Sequence, residues 1–189
     1  MMTVKRRKDT SVKKVFQHRI ADIRGGVGVK TSELGSDYLF EGTPLGAQVN
    51  GLCSVVKYAK VATAVTATAT TIEVEKGHHF KVGDFVTADE NQKAYAITAI
   101  DKTNAAKDII TIETTLGVAI AAGGFIVQAE AQATGDTSAL KVVPQSLNGT
   151  GYHVKANDNI FTDAWLIGTT LGNELPTCIA NKLTGIINI

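Results

Sequence analysis

The chain has 189 residues, 44% of them hydrophobic and 20% charged, with a formal net charge of +1. That is enough apolar matter for a packed core, which excludes a wholly disordered polymer. The charge is uneven: residues 1–30 hold nine Lys and Arg against Asp9 and Asp22, a net +7, while the rest holds ten against sixteen acids, a net −6.

A basic beginning therefore precedes a mildly acidic body. Lys5-Arg6-Arg7-Lys8 would suit the start of a secretory signal, but Lys13-Lys14 and His18-Arg19 interrupt any apolar stretch behind it, so no signal peptide is expected. Residues 1–37 carry no lasting periodicity and are predicted to form an extended basic arm, with Gly25-Gly26-Val27-Gly28 as a flexible break. From residue 38 a β-rich base begins. Gly42-Thr43-Pro44-Leu45-Gly46 reads as a turn, Asn50-Gly51 as a hairpin signal, and residues 54–61 as a strand.

Residues 62–130 are predicted to be a small β-barrel module inserted in that base. Ala62 to Thr71 is rich in Ala, Val and Thr and suits a strand. Thr71-Ile72-Glu73-Val74-Glu75 alternates with period two. Phe85-Val86, residues 95–100, residues 108–113 and residues 125–127 read as further strands between Gly- and Asp-containing turns. The apolar set of the module is Ile72, Val74, Phe80, Val82, Phe85, Ile97, Ile100, Ile110, Ile112 and Ile126. Residues 131–189 return to the base, through polar loops, a strand at 139–143, and an apolar end at Ile186-Ile187-Asn188-Ile189. The apolar run Leu116 to Ala129 is short and broken by Gly123-Gly124, so no membrane partner is expected. The fold class is thus mainly β.

The chemistry-bearing residues point away from an enzyme. Asp84, Asp89-Glu90, Asp101 and Asp108 fall at turns, where Asp is favoured for its local hydrogen bonds, and Cys178 has no recognisable His partner. His78-His79 is read as a turn-lining pair, because adjacent strand residues point to opposite faces and rarely share a metal. Gly25 to Gly28 lacks the Lys and Ser/Thr of a phosphate loop. Cys53 and Cys178 fit neither a zinc motif nor a disulfide framework and are read as buried or free thiols in a reducing cytoplasm. No cofactor is expected. The basic arm is read as a docking element for protein in preference to nucleic acid, since Phe16 alone is interleaved with its cations. Trp165, Phe161 and Tyr152 are the candidates for a sugar-binding face, but a lone Trp in an apolar strand such as Ala164 to Ile167 is read first as core.

Gly42 to Gly46, Asn50-Gly51, Val55-Val56-Lys57, residues 71–84, Ala94-Tyr95-Ala96-Ile97, Thr114-Thr115-Leu116-Gly117 and Ala164-Trp165-Leu166-Ile167-Gly168, in that order, resemble the head-fibre and auxiliary capsid (decoration) proteins of tailed bacteriophages. The likeness is greatest to those of Bacteroidales and crAss-like phages, and it covers roughly residues 40–189. It implies a non-enzymatic virion protein on the capsid exterior, made in the host cytoplasm and bound to the major capsid protein, with homotrimers common among head fibres. The residues expected to dock on the capsid are Lys5, Arg6, Arg7, Lys8, Lys13, Lys14, Arg19 and Arg24. The oligomer interface is expected at Phe40, Trp165, Leu166, Ile167, Ile187 and Ile189, apolar residues too numerous for a small base to bury alone. The alternative reading is a carbohydrate-binding or adhesion module on a virion or cell surface, with a host-surface glycan as partner.

Overall fold

A computed structural model describes residues 14–154 and 158–189. The described chain is mainly β. Its strands, in order, are β1 (Phe16–Asp22), β2 (Val27–Val29), β3 (Tyr38–Leu39), β4 (Pro44–Val49), β5 (Leu52–Val55), β6 (Tyr58–Lys60), β7 (Thr71–Glu75), β8 (Phe85–Thr87), β9 (Tyr95–Asp101), β10 (Lys107–Ile112), β11 (Phe125–Ala129), β12 (Pro144–Asn148), β13 (Tyr152–His153), β14 (Ile160–Thr162), β15 (Ala164–Thr170) and β16 (Ile186–Asn188). Among the described residues the one α-helix is short, α1 (Thr177–Ala180), and precedes β16; a 3-10 turn spans Thr31–Glu33.

The strands divide into two sheets and a ribbon. The base sheet runs β1-β15-β12-β4-β5-β2-β14, with β16 beside β15. The second sheet runs β6-β11-β8-β9-β10-β7. It curls until its two ends touch: Val61 bridges Val74, and the Ala62 N–H donates to the Glu73 carbonyl at 2.8 Å. Strands β3 and β13 form a separate two-stranded ribbon. The curled sheet is inserted between β5 and β12 of the base sheet, the nesting expected from the sequence.

Each sheet folds around its own apolar set. Ile72, Val74, Phe80, Ile97, Ile110, Ile112 and Ile126 fill the curled sheet together with Val86, Tyr95, Leu116 and Ile120. Alternation explains it: β10 reads half-buried, buried, half-buried, buried along Lys107–Ile112, so every second residue points inward. Under the base sheet lie one cluster around Val27, Val29, Leu39, Leu45 and Val55 and another around Val56, Leu147, Ile179 and Leu183.

Several expectations need correcting. The basic arm was predicted to reach residue 37, yet β1 pairs antiparallel with β15 and β2 is wholly buried between β5 and β14. The expected flexible break is instead a tight connection: Gly25 and Gly26 both have positive φ, and the Gly26 N–H donates to the Ile23 carbonyl at 3.0 Å. The sequence hid β1 because it is an edge strand with most side chains in solvent, so no alternation is needed. Its start is held instead by Glu41, whose Oε1 accepts from the Val15 N–H at 2.9 Å and the Phe16 N–H at 3.0 Å. The strand expected at 54–61 is split by Val56-Lys57, and β6 belongs to the curled sheet, not the base. Residues 62–70 form no strand; Val65 makes one isolated bridge to Ile120. Likewise Leu140 makes only a bridge to Ala129, and the regular strand begins at Pro144.

Candidate functional site

The outer face of β15 and β16 carries the largest exposed aliphatic side chains near the chain's end. The parallel register places Thr169 opposite Ile187. Because side chains alternate with period two, Ile167, Thr169 and Leu171 share the face of Ile187 and Ile189. The ladder continues past the strand end, with the Ile189 N–H donating to the Thr170 carbonyl at 2.8 Å. On that face Ile167 is 42% exposed, Leu171 50%, Ile187 62% and Ile189 66%. Ile186, of opposite parity, packs inward against the Leu147 and Ile179 cluster. Four large aliphatics thus form a stripe with nothing of the described chain over it. Leu171 was not among the expected interface residues; its place follows from the β15 parity, legible once the strand is extended past Gly168.

The other expected interface residues do not join the stripe. Leu166 is 40% exposed, but it sits at a register shift between Trp165 and Ile167, where the alternation that defines the stripe is broken. Trp165 is half-buried, stacked on Phe16 with centroids 3.5 Å apart, and its Nε1 donates to Asp163 Oδ2 at 2.8 Å. Phe40 lies elsewhere, 4.9 Å from the Tyr38 ring and against Gly77. There, on the β3–β13 ribbon, Tyr38 also meets His153 edge-on at 4.9 Å, and Tyr152 is exposed. Phe161, on β14, is 69% exposed.

Of the expected docking cations, Lys5, Arg6, Arg7, Lys8 and Lys13 lie outside the described residues. Lys14 and Arg24 are exposed. Arg19, on β1, pairs with Asp22 at 3.2 Å and lies 5.9 Å from the Trp165 ring centroid. The described chain therefore enters the base sheet at β1, next to β15, and the basic run immediately precedes that edge.

A cleft of about 280 Å³ separates the curled sheet from the base, lined by Phe40, Glu41, Thr43, Tyr58, His79 and Asn173 among others. Below it the loop joining β7 to β8 carries His78-His79 into the interior. His78 Nδ1 accepts from the Phe80 N–H at 3.2 Å, and its Nε2 lies 3.1 Å from Asp108 Oδ2. Asp108, itself buried, also meets Lys76. Burial drives the His78 pKa down to about 4, against the opposing pull of the Asp108 carboxylate. Burial drives His79 down to about 3, aided by His78, Lys57 and Lys102. Both are neutral imidazoles at neutral pH. On the same loop Asp84 accepts from Lys57 Nζ at 2.8 Å, from Gln128 Nε2 at 2.8 Å and from the Lys81 N–H at 2.9 Å.

Cys53 and Cys178 are both buried and unbridged, and burial pushes the Cys178 thiol up to about 12, which suits an inert core thiol. Among the described residues no three His, Cys, Asp or Glu side chains converge as a metal site, and no helix is long and apolar enough to cross a membrane. No family model, curated protein or solved structure matches the chain.

Proposed function

We propose that this chain is a structural protein of a tailed-phage head, decorating the capsid exterior or forming fibres on it. The observation that carries the reading is the exposed aliphatic stripe of Ile167, Leu171, Ile187 and Ile189. Contiguous apolar surface of this kind marks an association face. Its neighbour in the fold is β1, which pairs with β15 and which the basic run Lys5 to Lys14 precedes in sequence. The division of labour follows: copies associate through the stripe, and the cations dock on acidic surface of the major capsid protein. A homotrimer is what the head-fibre likeness implies, and closed symmetry is the ordinary state of homo-oligomers. The curled sheet, inserted far from both in sequence, projects outward.

Sedimentation with purified capsid shells tests both halves. Ile187→Asp is expected to sediment alone as a monomer, because a buried unpaired charge disfavours association. A chain lacking residues 1–13 is expected to keep its oligomeric state and to lose the shells. Wild-type behaviour of both variants would contradict the proposal.

A second reading, a glycan-binding module, is favoured by one observation: the aromatic group Tyr38, Phe40 and His153 on the β3–β13 ribbon, with Tyr152 exposed beside it. Exposed rings of this kind offer apolar faces to sugars. Binding of the protein to a glycan array, abolished by Phe40→Ala, would favour it over the structural reading.

A further inference from the structure

The curled sheet rests on the base through the β7–β8 loop. The Gly35 N–H donates to the His79 carbonyl at 3.1 Å. Lys102 Nζ donates to the Gly35 carbonyl at 2.7 Å, and Lys81 Nζ to the Ser32 carbonyl at 2.6 Å. A Cβ on Gly35 would stand 2.2 Å from the Phe80 carbonyl oxygen, so the two backbones touch. At the centre of this joint sits His79, 5% exposed, with no hydrogen-bond partner on either ring nitrogen. An imidazole left unpaired in an interior costs stability and serves no packing need that a Phe or Leu would not meet.

The surroundings of that ring are hostile to a cation. On its own loop stand His78 and Lys81. Lys57 comes from the link between β5 and β6, its charge already matched by Asp84. Lys76 follows β7 and Lys102 follows β9. The Asp108 carboxylate, on β10, is shared between Lys76 and His78. Glu41, in the cleft, is engaged by the Val15 and Phe16 amides. Lys60 pairs with Glu75 and Glu174 at the cleft wall.

We propose that His78-His79 is an acid-released latch: protonation of His79 frees residues 76–84 of the curled sheet from residues 31–35 of the base. The direction follows from linkage. Burial holds the folded-state pKa values at about 4 for His78 and about 3 for His79, below the ordinary 6.5. A depressed histidine favours the closed state fully above pH 6.5 and progressively less as pH falls toward its folded value. Between pH 6.5 and 4.5 the opening equilibrium rises by about fiftyfold for His79 alone. Protonation of His78 adds to it by removing the acceptor of the Phe80 N–H.

Hydrogen-exchange protection factors on the full chain, measured by NMR from pH 7 to pH 4.5, test the latch. The Gly35 and Phe80 amides should lose at least about fiftyfold of protection. The Val61 amide, bonded to the Gly124 carbonyl in the curled sheet, and the Asn148 amide, bonded to the Thr43 carbonyl in the base, should keep theirs. His79→Phe and His79→Gln should flatten the response at Gly35. An unchanged Gly35 protection would overturn the proposal. So would a loss in step with Val61 and Asn148, or a wild-type response in whichever of the two variants folds.

Discussion

Lys57 and Asp84 are nearly removed from water, with side chains 5% and 12% exposed. Burial pulls the Lys57 pKa down while Asp84 opposes it, so the pair is a compensated burial more than a source of stability. Its parts are therefore unequal. Asp84→Ala is expected to cost about 3–5 kcal/mol, because it strands a buried ammonium together with Gln128 and the Lys81 amide. The double variant Lys57→Met with Asp84→Leu should recover most of that loss, and urea unfolding measures both. Sequence reading saw Asp84 only as a turn residue; its partner Lys57 is 27 positions away, and nothing local announces it. Phe80 and Phe85 were equally visible as apolar. Only Phe80 is fully buried in the main core, while Phe85 is half-buried against Ala94, Ala129 and Ala133, and Val82 is 62% exposed. Which of these three neighbouring apolar residues turns inward depends on the path of the chain, not on its composition.

Elements with strong alternation were legible, and those stabilised from a distance were not. Strand β7 matches its expected bounds, and β9 and β10 are within a residue or so, because period-two burial wrote itself into Ile72-Val74 and Ile110-Ile112. The Asn50-Gly51 signal holds: both residues have positive φ, and β4 pairs with β5 across them. Residues 62–70 look like a strand by content, but Ala and Thr bury little area across a ladder, and the single bridge at Val65 suffices there. Closure of the curled sheet depends instead on β6, which pairs β11 and continues into Val61 at the bridge to Val74. A fragment of residues 58–130 should therefore fold by itself, with dispersed amide resonances in NMR. A fragment of residues 62–130, lacking β6 and the closing Val61, should not. Equal folding of the two would show that β6 is dispensable.

At the scale of the whole molecule, the nesting of one β unit within another was readable because the apolar content rises, falls and rises along the chain. The extent of the base was not, since β1 and β2 derive their places from Glu41, β15 and β5, all remote in sequence. Of the six residues expected at an interface, Ile167, Ile187 and Ile189 lie in the exposed stripe, which also takes in Leu171 and leaves out Phe40, Trp165 and Leu166. An interface of ordinary stability buries about 800 Å² per partner, which the stripe supplies only together with neighbouring polar rim. Association is thus expected to be concentration-dependent: light scattering should give a closed oligomer at high concentration, and removal of residues 186–189 should return a monomer of about 20 kDa while the curled sheet stays folded. The proposed location on a phage head is open to direct measurement. Gold-labelled antibody against residues 58–130, applied to intact phage particles from the source of the sequence, measures it directly. The account predicts label on the outer surface of heads and none on particles lacking the protein. Unlabelled heads, with the protein recovered only from the host-cell fraction, would contradict it.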